Sequence, residues 1–263
     1  MFLMKKPIFR ADVRGKLLLD SQPPGLVRYS QTYVRGNADT RRQNERRAIA
    51  LKPKIEAPKI PDGLTALSHE METLRPKDDY RLVSVRDIFI EQQEASKVSF
   101  EKAVFTNVTV TESTLEGIEL TDVLFDKCDL SNIYLNDSFL HRVEFRHCKL
   151  IGTDWTRSRL QHVRFEGCVG DYSAFRFASF KHAAFGDCSL LGAHFFHSVL
   201  QHTFFTSCRI DKANMTGTKL EGIDLSDCEF DGLLVDIEDL RGCIVSPQHV
   251  SSFAALLGLI VKP

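Results

Sequence analysis

Residues 120–165 read LTDVLFDKCDLSNIYLNDSFLHRVEFRHCKLIGTDWTRSRLQHVRF, and the stretch counts in fives. Each residue whose number is a multiple of five is large and apolar: Leu120, Phe125, Leu130, Leu135, Leu140, Phe145, Leu150, Trp155, Leu160 and Phe165. Two places before these stand smaller residues, among them Val123, Cys128, Ser138, Val143, Cys148, Thr153, Ser158 and Val163. The phase runs back to Phe100 and forward to Leu240, with one gap at Gly170 and no insertion. A fixed internal period is the signature of a repeat architecture and overrides local propensity.

Five is neither the helical nor the strand period. A short extended piece followed by a tight turn satisfies it, with two inward residues per piece and the turn at the next two positions. A type II turn needs positive φ at its second central residue, which favours Gly or Asn. That position has numbers ending in 2 or 7. Between 102 and 242 it is Gly, Asn or Asp at 14 of 29 places, so turn chemistry and apolar phase agree independently. Cys128, Cys148, Cys168, Cys188, Cys208 and Cys228 lie 20 apart, as do Phe105, Phe125, Phe145, Phe165, Phe185 and Phe205. Four pieces therefore make one coil, and residues 20 apart stack at roughly 4.8 Å. Seven to eight coils would form a rod about 35–40 Å long by that spacing. Gly170 predicts a local void or an inward turn of Val169.

The pattern resembles the pentapeptide repeat family, whose motif reads roughly Ala-(Asp/Asn)-Leu-X-X. Ala213-Asn214-Met215-Thr216-Gly217, Ile223-Asp224-Leu225-Ser226-Asp227 and Cys128-Asp129-Leu130-Ser131-Asn132 carry the likeness. The resemblance implies an all-β solenoid: a right-handed quadrilateral β-helix with four pentapeptides per coil. It also implies a non-enzymatic scaffold for protein binding. Some members mimic DNA, occupying the DNA-binding saddle of a type II topoisomerase such as gyrase, and so modulate quinolone susceptibility. The protruding loops of those members have no counterpart here, because the phase never breaks.

Four segments follow. Residues 1–60 carry five prolines and three basic pairs with weak apolar periodicity, and read as a basic, disordered leader. A nucleic-acid-binding tail and an organellar transit peptide are the alternatives, the latter opposed by Asp12 and Asp20. Residues 61–95 hold Leu64, Leu67, Met71 and Leu74 at helical spacing before Pro76, which predicts a capping helix and a first irregular coil. Residues 96–245 are the β-helix. Residues 246–263 open with Ser246-Pro247, a cap followed by Pro, and predict a short helix with an extended tail. A similar terminal helix builds a homodimer in the gyrase-binding members, which by resemblance makes Val250, Phe253 and Leu257 candidate dimer contacts. Glu238 falls at an inward position and predicts loosening near this end.

No catalytic motif is found, so no catalytic residue and no cofactor are assigned. The cysteines occupy small inward positions without Cys-X-X-Cys spacing and read as core thiols in a reducing compartment. His162, His182 and His202 share one outward column and are weak metal candidates, giving a His-ladder metal protein as a third functional reading. Outward Ile151, Val169, Leu191, Phe177, Phe196 and Phe204 form a candidate partner surface. Charge is banded. Residues 101–141 hold 8 acids and 2 bases, 142–181 hold 8 bases and 4 acids, and 187–241 hold 10 acids and 4 bases. The basic middle opposes DNA mimicry, since a mimic should be acidic along its length. The repeat region has no direct nucleic-acid motif. With no apolar run of membrane-spanning length and no signal-peptide core, the expected location is the cytoplasm.

Overall fold

A computed structural model describes residues 10–11, 17–18, 55–67 and 73–260. The chain divides into two units, residues 1–52 and 53–263. In the first, Arg10–Ala11 pairs antiparallel with Leu17–Leu18. Most of the expected leader therefore lies outside the described residues.

The second unit is a right-handed, four-faced parallel β-solenoid of about seven turns. Six eight-residue strands form its main ladder: Ser99–Thr106, Glu119–Asp126, Phe139–Arg146, Arg159–Glu166, Ser179–Gly186 and Val199–Thr206. Each pairs with the next at a register of 20, for example Phe145 with Phe165 and Phe165 with Phe185. The other faces are joined mostly by single bridges of the same register, such as Lys149–Val169–Ser189–Arg209. Stacking every fourth repeat satisfies the backbone groups of each coil on the next and places like side chains over like.

Every residue with a number ending in 2 or 7 from Lys77 to Gly222 has positive φ, mostly near 55°. Twenty-four of these corner residues are not glycine. Gly or Asn is thus preferred at the corner but not required, because the stacked coils over-determine its geometry. At Gly167 an added Cβ would lie 2.5 Å from Nδ1 of His147, so a larger residue there would have to displace that exposed ring, which leans over from the coil before. The corner rule lapses at Asp227, Gly232 and Ile237 and returns at Gly242. Glu238 is exposed there, so the chain loosens where an inward carboxylate would otherwise lack a partner.

The interior is filled by columns. Phe105, Phe125, Phe145, Phe165, Phe185 and Phe205 stack face to face at 4.7–5.0 Å. Trp155, Phe175 and Phe195 form a second column meeting the first edge-on. Most inward hydroxyls donate to backbone carbonyls, as Ser138 does to Leu135 O at 2.6 Å and Thr153 to Leu130 O at 2.7 Å, whereas buried Thr203 Oγ1 has no partner. A void at Gly170 does not occur. An added Cβ there would come within 3.1 Å of Leu190 Cδ2, and Val169 stays outward. The apolar cavity, about 40 Å³, lies nearer the N-terminal end, bordered by Val110, Leu115, Leu130 and Leu135 opposite the Phe column. Leu115 and Leu135 stand there in the column that becomes aromatic at Trp155, which lines the cavity's far side.

Within the segment expected to form the N-terminal capping helix, Thr65–Leu67 is a strand. Thr65–Leu67 pairs in parallel with Val83–Val85, while residues 68–72 lie outside the described set. The edge of the first coil would otherwise present unpaired backbone groups, and the added strand meets them. Leu74 does cover the core: it is buried, and its N–H donates to Gln93 Oε1 at 2.7 Å. At the other end Val250–Ala254 forms one short α-helix between 3-10 turns. It seals the last coil by stacking His249 on Phe230 at 4.1 Å and setting Phe253 beside Phe230 at 5.9 Å.

Candidate binding surfaces

Because corners and ladders repeat with one register, every outward side chain belongs to a column. The six candidate partner residues fall on five columns, Ile151 and Leu191 sharing one. Val169 stands on the outer face of the Cys column between Lys149 and Ser189. Ile151 and Leu191 are half-buried at the following corner, close to exposed Tyr172. Phe177 and Phe196 lie one corner further, with Phe177 packed edge-on against Phe196 at 5.6 Å and parallel to His197 at 5.7 Å. Phe204 is half-buried beyond Ala184 on another face. They are therefore separate patches, and the Phe177–Phe196–His197 cluster is the one built from direct contacts. Phe139 and Val199, outward apolar positions of the same phase, are exposed as well, as are Tyr134 and Tyr172.

The basic middle band is largely neutralised within the rod. Arg142 forms two hydrogen bonds to Asp122, at 2.6 and 2.7 Å. Arg157 pairs with Asp137, Lys149 with Asp129 at 3.4 Å, and Arg164 with Glu144 at 4.0 Å. Each of these pairs spans 20 residues, one coil. Arg146 and Arg176 pair with Glu144 and Asp154. Burial acts to raise the Asp122 carboxyl, but hydrogen bonds from Arg142 and the Lys59 backbone outweigh it and hold the group below the usual carboxylate range. The signal was in the sequence: the register of 20 sets acids of one band directly under bases of the next.

Residues 55–60 continue the same unit as the solenoid and run extended along it. The leader boundary expected at residue 60 thus moves to before Ile55. Lys59 N–H donates to Asp122 Oδ1 at 2.9 Å, and Glu56 N–H donates to His162 Nδ1 at 3.3 Å. Three extended residues span about 10 Å, and the two coils between Asp122 and His162 about the same. The segment is a strap lying parallel to the axis over one corner.

That corner carries the histidine column. His162 stacks on His182 and His182 on His202, each at 4.9 Å with ring planes within 9°. Parallel rings direct their in-plane lone pairs side by side rather than toward one point. Among the described residues no group of three or more His, Cys, Asp or Glu side chains is arranged to hold a metal ion. The metal-ladder reading is set aside on this geometry. His141 meets His162 edge-on at 5.8 Å. Burial, then Arg142 and His162, lower the His141 pKa; burial, then His162 and His202, lower that of His182.

The cysteine column is internal and unoxidised. The thiols of Cys128, Cys148, Cys168, Cys188 and Cys208 face backbone carbonyls: Cys168 donates to Phe145 O at 3.4 Å, with Glu166 O at 3.5 Å. Donation requires the protonated thiol, which is the unreactive form. Only Cys243 is partly accessible, and burial pushes its thiol up to about 12. In native protein we expect a thiol reagent to label Cys243 slowly and the six column cysteines not at all, with all seven reacting in denaturant. Rapid labelling of several thiols in the native state would contradict the packing role.

At the C-terminal end, Phe253 is committed to the cap, whereas Val250 and Leu257 are exposed together with Leu259 and Ile260.

A filled parallel solenoid with four faces per coil, a turn every fifth residue and no helix among the described residues long and apolar enough to cross a membrane defines a class of repeat protein. The chain belongs to the pentapeptide repeat family. A profile of the pentapeptide repeat region matches residues 98–175 and 138–215. The uncharacterized protein YisX of Bacillus subtilis (strain 168) is 37% identical over 212 residues, covering 80% of this chain and 99% of YisX. HetL, a pentapeptide repeat protein involved in heterocyst differentiation regulation from the cyanobacterium Nostoc sp. strain PCC 7120, is 14% identical (TM-score 0.42; 68% of this chain, 94% of HetL). QnrB1, a plasmid-mediated fluoroquinolone resistance protein, is 15% identical (TM-score 0.33; 75% of this chain, 95% of that structure).

Proposed function

We propose that this protein is a non-enzymatic scaffold in a reducing compartment such as the cytoplasm, binding a protein partner through outward residues of its middle coils. The observation that carries this reading is the Phe177–Phe196–His197 cluster, in which Phe177 remains 54% exposed although packed on both neighbours. Large aromatic side chains held rigidly at a surface are the usual anchors of protein interfaces. The Phe columns and thiols leave the interior closed to substrate, so specificity lies outside. The test is affinity capture from the native source with wild type and with Phe177→Asp/Phe196→Asp. A partner retained by wild type and lost by the variant supports the site; equal capture by both removes it.

A second reading, DNA mimicry toward a topoisomerase, gains from the pairing of the basic band, which leaves the unpaired surface charge predominantly acidic. Inhibition or protection of gyrase supercoiling is its measurement, and no effect at tens of micromolar removes it. Homodimerisation through Val250 and Leu257 accompanies either reading. Light scattering on the eluted protein should then report twice the chain mass, and Leu257→Asp should halve it.

A further inference from the structure

The strap is lightly held on a rigid corner. Asp122 is 3% exposed and takes two hydrogen bonds from Arg142, and the His162 ring is packed face-on by His182 and edge-on by His141. The strap brings only backbone to these two acceptors, the N–H groups of Glu56 and Lys59. Pro58 stands between them and has no N–H to leave unpaired. Among the described residues these are the strap's two hydrogen bonds to the rod. No side chain from Ile55 to Ile60 is fully buried, and the following Pro61, Asp62 and Gly63 are exposed.

We propose that this corner is a docking site for an extended, proline-containing segment of a partner protein, and that the strap occupies it until such a segment displaces it. The corner offers more than the strap uses. One coil beyond His162, Nδ1 of His182 is buried without a hydrogen-bond partner. Lys181 beside it is exposed and makes no ion pair among the described residues. A buried polar atom left unpaired costs free energy. A segment that matches the strap and adds a hydrogen-bonding group about 4.8 Å further along therefore fills the corner more completely than the strap does. An acidic side chain at that end meets Lys181. The strap of a second copy brings nothing that the tethered strap lacks, and the tether gives the resident one the advantage. The occupant that can win is thus a partner's segment, not another copy's.

The probe is a synthetic peptide with the sequence of Lys52–Pro61, added to the labelled full chain and followed by NMR of the histidine rings. In Glu56→Pro/Lys59→Pro the strap has lost both donors, so the peptide should shift the His162 signals saturably, with unchanged solenoid amides reporting a folded rod. Wild type should bind it about tenfold more weakly, the factor for a strap seated about nine-tenths of the time. Under excess peptide the wild-type Glu56 and Lys59 amides should lose exchange protection together. A peptide carrying the same two prolines should bind neither chain. No saturable His162 shift in the double variant at peptide concentrations on the order of millimolar would overturn the proposal. So would unchanged Glu56 and Lys59 protection in wild type under excess peptide, a readout that needs no variant. If unlabelled wild-type chain shifts the double variant as the peptide does, a second copy is the occupant and the assignment to a partner protein fails.

Discussion

Phe165→Ala should lower the stability of the solenoid by about 3–5 kcal/mol, the range for deleting a buried aromatic ring. Phe165 is 1% exposed and lies between Phe145 at 4.9 Å and Phe185 at 4.7 Å, nearly parallel to both. It also meets Phe175 edge-on at 6.3 Å. The substitution removes two face contacts and one edge contact from a column that cannot collapse, because backbone ladders hold neighbouring coils at fixed spacing. The cavity left behind therefore persists, which places the cost in the upper part of the range. Position matters as much as size. Stability in a solenoid is approximately a sum of repeat and nearest-neighbour terms, so a weakened central coil separates two halves that each retain their own stacking. Urea denaturation should show a lower midpoint and a broadened or two-step transition. Phe139→Ala, at an exposed site of the same ladder, should stay within about 0.5–1 kcal/mol of wild type. Similar midpoints for the two variants would refute the column as the main source of stability.

Cys168→Asp should be comparably damaging, and its cost should depend on pH. The wild-type thiol is 2% exposed and faces the carbonyls of Phe145 and Glu166. A carboxylate there loses its water and meets two oxygens, at a cost of about 3–5 kcal/mol at neutral pH. Burial raises the introduced carboxyl above its unfolded value near 3.9. The folded state then binds more protons than the unfolded state, and the variant loses stability relative to wild type as pH rises above about 4. The slope approaches about 1.4 kcal/mol per pH unit until the folded value is passed. Asp122 in wild type has the opposite sign: its carboxyl is held low, so its contribution is present above about 3.9 and lost as pH falls. Cys168→Ala, which only removes one sulfur atom, should cost about 1 kcal/mol with no such slope. A flat difference curve for Cys168→Asp would show the column open to water.

Legibility followed the range of the forces involved. Inward residues could be read because each burial decision repeats every five positions, and corners because turn geometry is local. The helix expected around Leu64–Leu74 gives way at Thr65–Leu67 to a non-local term, while residues 68–72 lie outside the described residues. Its apolar spacing is real, yet the unpaired edge of Val83–Val85 drew Thr65–Leu67 into a strand. The void expected at Gly170 failed for a similar reason, since Leu190 of the next coil closes it. The neutralised charge band was readable in principle: Asp122 and Arg142, or Asp137 and Arg157, are 20 apart in a chain whose coil is 20 long.

By itself the sequence determined the solenoid, its four columns, its corners and the chemistry of its interior, because a period of five leaves a side chain no choice between inside and outside. It did not determine which outward groups meet. That Glu56 finds His162 across 106 positions, and Lys59 finds Asp122 across 63, follows no period. Nor does periodicity separate the contacting Phe177–Phe196–His197 cluster from isolated outward residues. Those arrangements depend on where stacked coils place acceptors and ring faces on the surface, and only the folded chain sets that geometry.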